Sequence, residues 1–331
     1  MKTQFKMLIT LLLLVGLIFG TVVPFVEENM VAEAQQEQYT VNYVWHAGLS
    51  DPYWKKMQLG AEAASALYPD LKMNFIGPDA FNFEQFMNML SAAIVSKPDG
   101  LIVPVCNPIG MDEILRNAIK KGLPVLAVDS ADDRAPAERI PYMSYVGENS
   151  YLGGIMAADE ILKVFRPKRA IYGNHTPGAT NLTARGNGFL DVMKEKGIPA
   201  EALDITPDPV KGTEILVSYL KRNPDTDCVF TANILFANAL IVRLEEEGMK
   251  PGINVKTCTF GLDDQTLGFM EEDKIMFSID EQPYLQGYLS TIFMYLHLKY
   301  KFTPPAEIPT LGIIYKKDLG TIKDLVEKDI R

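Results

Sequence analysis

Two parts of the sequence repeat the same order of features, and this repeat constrains the fold more than any other property. In the first half, residues 98–104 are followed by a helical stretch and then by residues 124–129. In the second half, residues 226–232 are followed by a helical stretch and then by residues 257–263. Short apolar runs of this kind are typical of buried strands. The repeat predicts two similar lobes. An acidic residue follows the last run of each copy, so we expect the equivalent strand ends of the two lobes to face each other across a cleft.

Strand-like and helical segments alternate at short spacing through both halves, which indicates βαβ units and parallel sheets. The alternation pauses at residues 132–141, a polar stretch with two prolines. The predicted fold is therefore α/β, with two Rossmann-like doubly wound lobes. We expect the chain to cross between them near residues 146, 281 and 311, so that three strands form a hinge. The predicted lobes are residues 40–146 with 282–311, and residues 149–279 with 312–331.

The N-terminus has the features of an export signal. Lys2 and Lys6 precede an apolar stretch at residues 7–23, and a small-x-small motif ends at Ala34. We predict a signal peptide at residues 1–34, cleaved near Ala34, and a periplasmic protein. An uncleaved membrane anchor is the alternative, because the apolar stretch is long for a signal.

The composition excludes several classes of function. The 331 residues carry a formal net charge of −10 and no basic run, which disfavours nucleic acid and anionic membranes as partners. The three cysteines, Cys106, Cys228 and Cys258, have neither disulfide nor metal-site spacing. The three histidines are scattered along the chain. We therefore predict no metal and no cofactor.

The first predicted strand and helix deliver candidate ligand-binding residues. An apolar run at residues 41–47 leads to Asp51 and Pro52, which suit the start of a helix. Asp51, Tyr53 and Trp54 would then lie at the carboxyl end of the first strand, where open parallel sheets bind ligands. The alternative is a helix cap followed by two core aromatics.

Polar side chains also follow other predicted strands. They are Asp129, Asn233, Asp263 and Glu281, and Arg185 lies on the helix that opens the site of the second lobe. Carboxylates, amides and a guanidinium can pair with adjacent hydroxyls, while aromatic rings cover the apolar face of a sugar. Taken alone, each Asp or Asn at a strand end is more typical of a helix cap or turn than of a ligand contact; it is their recurrence at equivalent places that favours a site.

The sequence offers no convincing catalytic set. Asp280 and Glu281 are adjacent, so a strand would point them to opposite faces. The glycines at Gly186 and Gly188 do not form a phosphate loop, because no strand immediately precedes them and no GK[ST] follows. We therefore predict a binding protein rather than an enzyme.

Eight motifs give the chain a resemblance to a known family. They are Asp51-Pro-Tyr-Trp54, Gln58-Leu-Gly-Ala61, Pro98-Asp-Gly-Leu-Ile-Val103, Gly122-Leu-Pro-Val-Leu-Ala-Val-Asp129, Tyr145-Val-Gly-Glu-Asn149, Ala184-Arg-Gly-Asn-Gly-Phe189, Phe260-Gly-Leu-Asp263 and Asp280-Glu-Gln-Pro-Tyr-Leu-Gln-Gly287. In this order and spacing, residues 40–315 resemble type I periplasmic solute-binding proteins of the ribose/galactose-binding class, which serve sugar ABC transporters. The resemblance implies the fold predicted above.

The resemblance also implies a set of ligand contacts. They are Asp51, Tyr53, Trp54, Asp129, Ser130, Arg185, Asn233, Asp263 and Glu281. Three of them differ from the residues of the family. At the position of Asp51 the family often has Asn, at that of Ser130 the ribose binder has Arg, and at that of Glu281 the family usually has Gln. The departures replace one cation and two amides by a hydroxyl and two carboxylates, so ribose itself is not the expected ligand.

The resemblance implies an exported monomer that captures a neutral sugar or polyol and delivers it to membrane ABC permease subunits. Two alternatives remain open. The same capture could signal to a membrane sensor kinase or chemoreceptor, or the chain could be an exported enzyme acting on a sugar.

Overall fold

A computed structural model describes residues 38–46, 48, 52–79 and 81–331 of the chain. The strands of this part are β1 Tyr39–Val44, β2 Leu71–Ile76, β3 Gly100–Val103, β4 Val125–Asp129, β5 Ser144–Gly147, β6 Ala170–Asn174, β7 Ala200–Asp204, β8 Cys228–Thr231, β9 Lys256–Phe260, β10 Ile275–Asp280, β11 Glu307–Pro309 and β12 Gly312–Tyr315. Its helices are α1 Pro52–Ser65, α2 Phe83–Val95, α3 Pro108–Lys120, α4 Ser150–Val164, α5 Thr180–Glu195, α6 Pro209–Arg222, α7 Ile234–Glu246, α8 Asp264–Glu271, α9 Pro283–Tyr300 and α10 Leu319–Glu327. Asp51 and the predicted signal peptide at residues 1–34 lie outside the described residues.

The strands form two six-stranded sheets of equivalent order. The first sheet runs β11-β5-β4-β3-β1-β2, and the second runs β12-β10-β9-β8-β6-β7. Pairing is parallel from β11 to β1 in the first sheet and from β10 to β7 in the second, whereas β10 pairs with β12 in antiparallel fashion. The predicted architecture of two α/β lobes with mostly parallel sheets is therefore confirmed.

Apolar side chains cover both faces of the second sheet. Ile171 and Val229 belong to a core with helices α6 and α7, whereas their neighbours Tyr172 and Phe230 belong to a core with α4 and α5. Successive side chains on a strand point to opposite faces, so a strand buried on both faces must be apolar throughout. This explains why these strands read as continuous apolar runs in the sequence.

Glycines let helices pack closely in each lobe. A Cβ on Gly154 of α4 would lie 1.9 Å from the carbonyl oxygen of Arg185 on α5. A Cβ on Gly287 of α9 would lie 1.9 Å from the carbonyl oxygen of Met57 on α1. Because only glycine permits such an approach between backbones, these two positions fix where α5 and α9 lie.

The chain passes between the two sheets three times. The passages fall between β5 and α4, between β10 and α9, and between β11 and β12. At the last passage the sequence predicts a strand at residues 310–315; β12 lies within that stretch, whereas β11 just before it was not predicted. Helix α8 was also missed, because its eight residues carry little apolar periodicity.

The described residues contain no helix long and apolar enough to cross a membrane. Cys228 and Cys258 are buried free thiols, and Cys106 is a half-buried free thiol. Burial raises the pKa of Cys106 to about 12, so this side chain is a thiol rather than a thiolate at neutral pH.

Candidate functional site

Helix α1 places Tyr53 at the carboxyl edge of the first sheet. The Tyr53 hydroxyl lies 3.1 Å from Oε1 of Gln286 on α9, and it is also a hydrogen-bond partner of the Asp129 carboxylate. Burial, followed by the nearby carboxylates of Asp129 and Glu281, raises the pKa of Tyr53 well above its usual value. Tyr53 is therefore a neutral donor that joins α1, α9 and the end of β4.

Trp54 lies beside Tyr53 but packs into an aromatic cluster. Only 3% of its surface is exposed, and its ring centroid is 4.9 Å from that of His46 and 6.4 Å from that of Trp45. These contacts explain the apolar face of α1. A contact between Trp54 and a ligand stays a prediction.

Asp129 ends β4 with a left-handed backbone, at φ 62°. A non-glycine residue in this region is strained, and such strain is concentrated at functional sites. The Tyr145 hydroxyl donates to the Asp129 carbonyl at 2.7 Å, and Ser130 Oγ donates to Asp129 Oδ2 at 2.6 Å. Burial raises the pKa of Asp129, although His46 and the hydroxyls of Ser130 and Tyr53 oppose the rise. Neighbouring groups thus hold this carboxyl in one orientation.

Arg185 on α5 is 2% exposed and is surrounded by acceptors. Its Nη2 lies 2.6 and 2.7 Å from the two carboxylate oxygens of Glu148 and 2.9 Å from Glu281 Oε1. Nη1 donates to the Ala232 carbonyl at 2.8 Å, and the guanidinium carbon stands 3.5 Å from the centroid of the Phe260 ring. Burial disfavours the cation, but Glu148 and Glu281 outweigh that effect and raise the pKa of Arg185. Arg185 is therefore a permanent cation whose charge is already paired.

One donor of Arg185 is left over. Its Nε is buried and has no hydrogen-bond partner among the described residues. Buried donors are nearly always paired, so this N–H marks a place where an additional acceptor would be favourable.

Glu281 lies at the passage from β10 to α9. Its backbone carbonyl accepts from Gln286 Nε2 and from Thr310 Oγ1, each at 2.9 Å. Burial, followed by the charges of Glu148 and Asp129, raises the pKa of Glu281 to about 8, and Arg185 offsets part of the rise. The residue after it, Gln282, also has a left-handed backbone, at φ 57°.

We call Asp129, Glu148, Arg185 and Glu281 the Arg185 cluster. Asp129 comes from the first sheet, Arg185 from a helix of the second lobe, and Glu148 and Glu281 from two of the three passages between the sheets. The cluster therefore joins both lobes and the segments that connect them.

Asn233 and Asp263 cap helices. Asn233 Oδ1 accepts from the backbone N–H of Leu235 at 2.8 Å, and Asp263 Oδ1 accepts from that of Thr266 at 2.7 Å. The Asp263 carboxylate also accepts from Asn238 Nδ2 at 3.1 and 3.2 Å. These are the capping roles that the sequence left open. Ligand contacts from either residue stay predictions.

A second group of contacts joins α1 to the second lobe. Lys56 is 8% exposed, and its Nζ lies 3.4 Å from the carbonyl oxygen of Leu262, just before α8. Burial lowers the pKa of Lys56, although the surrounding Asp side chains oppose the shift. Lys55 forms an ion pair with Asp329 near the C-terminus. These contacts tie the two lobes together at the N-terminal end of α1.

The sequence did not single out Glu148, Tyr145 or Gln286 as site residues. Residues 148–149 together predict a helix cap, and of the two it is Asn149 that caps α4 by accepting from the Leu152 N–H. One signal for Glu148 was present in the sequence. It is an acidic residue beside a predicted crossing between the lobes, and an acidic side chain buried there requires a charged partner.

Residues 42–301 match the family described as the periplasmic binding protein domain. The chain is 26% identical over 261 residues to the xylose/arabinose-binding protein XylF of Sulfolobus acidocaldarius, a match covering 75% of this chain and 64% of that protein. It is 23% identical over 194 residues to the ribose import binding protein RbsB of Bacillus subtilis, covering 58% of this chain and 61% of that protein. Both matches span less than two thirds of the relative.

A solved structure with the same fold contains a sugar. An ABC transporter solute-binding protein from Agrobacterium vitis, bound with α-D-tagatopyranose, superposes with a TM-score of 0.74 at 25% identity. The match covers 88% of this chain and 99% of that one.

Proposed function

The chain belongs to the periplasmic binding protein family, and from this premise we propose that it is an exported receptor for a small neutral sugar or polyol, which it delivers to an ABC permease. Its membership in the sugar-binding type I class, inferred above from motifs, is confirmed by the family match and the sugar-binding relatives. The characterised relatives are named as binding or import proteins. Their names favour transport over signalling or catalysis as the output of binding.

The observation that carries the proposal is the Arg185 cluster. Polar groups from both lobes and from two passages converge at the carboxyl ends of β4 and β10, the edge at which open α/β sheets bind ligands. Acidic acceptors dominate, and the nearest cation, Arg185, is held by two of the carboxyls. A ligand rich in hydroxyls would supply donors to such a site, whereas an anion would be repelled.

We propose that the lobes close around this ligand about the three passages. The moving units would be residues 40–146 with 282–311 and residues 149–279 with 312–331. A ligand that contacts both lobes binds the closed form more tightly than the open form, and this difference in affinity shifts the equilibrium toward the closed form.

A thermal-shift screen of the exported protein tests the proposal. The panel should contain D-xylose, L-arabinose, D-ribose, D-tagatose, D-glucose, D-galactose and myo-inositol. A ligand at about one hundred times its Kd stabilises the folded state by about 2.7 kcal/mol. For a chain of this size that is a rise in Tm of roughly 4 °C. A flat response across pentoses, hexoses and polyols would contradict the proposed ligand class.

Small-angle scattering then tests closure. The radius of gyration should fall when the sugar with the largest thermal shift is added at saturation. An unchanged radius with the sugar bound would contradict the hinge mechanism while leaving the binding function in place.

A further inference from the structure

The Arg185 cluster contains more acid than base. Glu148 and Glu281 both contact the single guanidinium of Arg185, and the carboxyl of Asp129 lies close enough to act on both of them. Glu148 engages Arg185 with both oxygens, whereas Glu281 contacts it with Oε1 only. If every group were ionised, two negative charges would remain uncompensated in a buried site, and this is strongly unfavourable.

The groups that face Glu281 come from four elements. Arg185 comes from α5, Glu148 follows β5, Asp129 ends β4 and Tyr53 begins α1. Of these four, only Arg185 is a cation. His46 also acts on this site, but through Asp129. A proton on one carboxyl is therefore the simplest way to reduce the excess charge.

Glu281 is the member of the cluster best placed to hold that proton. Glu148 already accepts two charge-assisted hydrogen bonds from Arg185, so protonating it would lose the strongest ion pair of the site. The side chain of Glu281 is 22% exposed, against 6% for Glu148 and 2% for Arg185. Of these three side chains, that of Glu281 is therefore the most accessible from the solvent.

We propose that Glu281 is a neutral carboxylic acid in this arrangement of the lobes, accepting from Arg185 through Oε1 and offering an O–H from Oε2 to the ligand. The part that concerns the ligand rests on the proposed function; the protonation does not. The proton comes from solvent, and the carboxylate that takes it up becomes the acid with no other bond made or broken. The raised pKa of Glu281, about 8, is consistent with this assignment.

The proposal makes Glu281 a specificity-determining residue. A neutral acid both accepts and donates, so it selects a ligand oxygen that can accept a hydrogen bond, such as a hydroxyl or ring oxygen. Ionisation would remove that donor and add a second unpaired charge. Affinity for a neutral sugar would then fall as the pH rises toward the pKa of Glu281.

Carbon-13 NMR of the exported protein, labelled at the glutamate δ-carbon and measured without sugar, tests the protonation directly. The Glu281 signal is the one missing from the Glu281→Gln protein. Its titration midpoint should lie near 8. In Glu148→Gln the midpoint should fall, because the charge of Arg185 becomes available to Glu281. Glu246→Gln, at a residue 57% exposed in a surface ion pair with Arg243, is the control and should leave the midpoint unchanged.

A midpoint above about 7, at which the acid form predominates at neutral pH, supports the proposal, and a midpoint at or below that value overturns it. An unchanged midpoint in Glu148→Gln also overturns it, because the shift would then have a cause outside the cluster. None of these readouts uses a sugar. A failed sugar screen would therefore count against the proposed function and leave the protonation of Glu281 to its own test.

Discussion

Arg185→Met should be among the most destabilising single substitutions in the second lobe. The side chains of Arg185 and Glu148 are 2% and 6% exposed, and their contacts of 2.6 and 2.7 Å leave no room for water between them. Methionine retains much of the apolar contact with Phe260 but removes the charge. Removing one partner of a buried ion pair typically costs about 3–5 kcal/mol, because the remaining charge stays buried. Here the substitution leaves two carboxyls of that contact, Glu148 and Glu281, without their cation.

The loss of stability in Arg185→Met and that in Glu148→Gln should not be independent, because both substitutions break the same ion pair. Glu148→Gln leaves Arg185 paired with Glu281, so we expect a smaller loss of about 1.5–3 kcal/mol, the scale of a charged hydrogen bond. In the double variant both Arg185 and Glu148 are replaced by neutral side chains, so neither one remains as a buried charge without its partner. Its loss should be smaller than the sum of the single losses, by up to about 3 kcal/mol.

Urea unfolding without sugar, followed by both circular dichroism and tryptophan fluorescence, measures these free energies. Arg243→Met is the matched control, since Arg243 is 42% exposed and pairs with Glu246 and Glu247 at the surface. It should cost less than about 1 kcal/mol. The reasoning fails if Arg185→Met costs no more than this control, or if the losses of Arg185→Met and Glu148→Gln add within about 0.5 kcal/mol.

Three further predictions follow from the site. Trp54→Ala should lower the free energy of unfolding by about 3–5 kcal/mol, because Trp54 is buried in the aromatic cluster. If the variant and the native chain melt at the same temperature, Trp54 is not a core residue. The pKa of Glu281 is raised from 4.5 to about 8, so its contribution to the free energy of unfolding is present at acid pH and lost as the pH rises through that interval. The loss is at most about 1.4 kcal/mol per pH unit, and the difference between the native chain and Glu281→Gln should show it in urea titrations from pH about 5 to 9. Calorimetry with a bound sugar and its uronic acid should show tighter binding of the neutral member, and the reverse order would mean that the carboxyls do not converge on the ligand.

Local signals in the sequence predicted much of this structure. Alternating apolar runs and helical stretches predicted two parallel-sheet lobes, because strands covered on both faces must be apolar along their whole length. Asn233 and Asp263 each cap a helix, because a side-chain oxygen there satisfies a free backbone N–H, although the short helix after Asp263 was not predicted. The same local role explains why neither residue could be assigned to a ligand from sequence.

Tertiary structure alone decided which charges meet. Glu148 stands 37 positions before Arg185, and Glu281 stands 96 positions after it, so no local pattern links them. Their contact depends on where three passages cross between the lobes and on the close approach of α4 to α5 at Gly154. The sequence therefore determined the two lobes and the residue types at their edges. The pairing of Arg185 with Glu148, and the excess of acid that this leaves at Glu281, came only from the packing of distant segments, because burial makes each charge depend on its nearest neighbours in space.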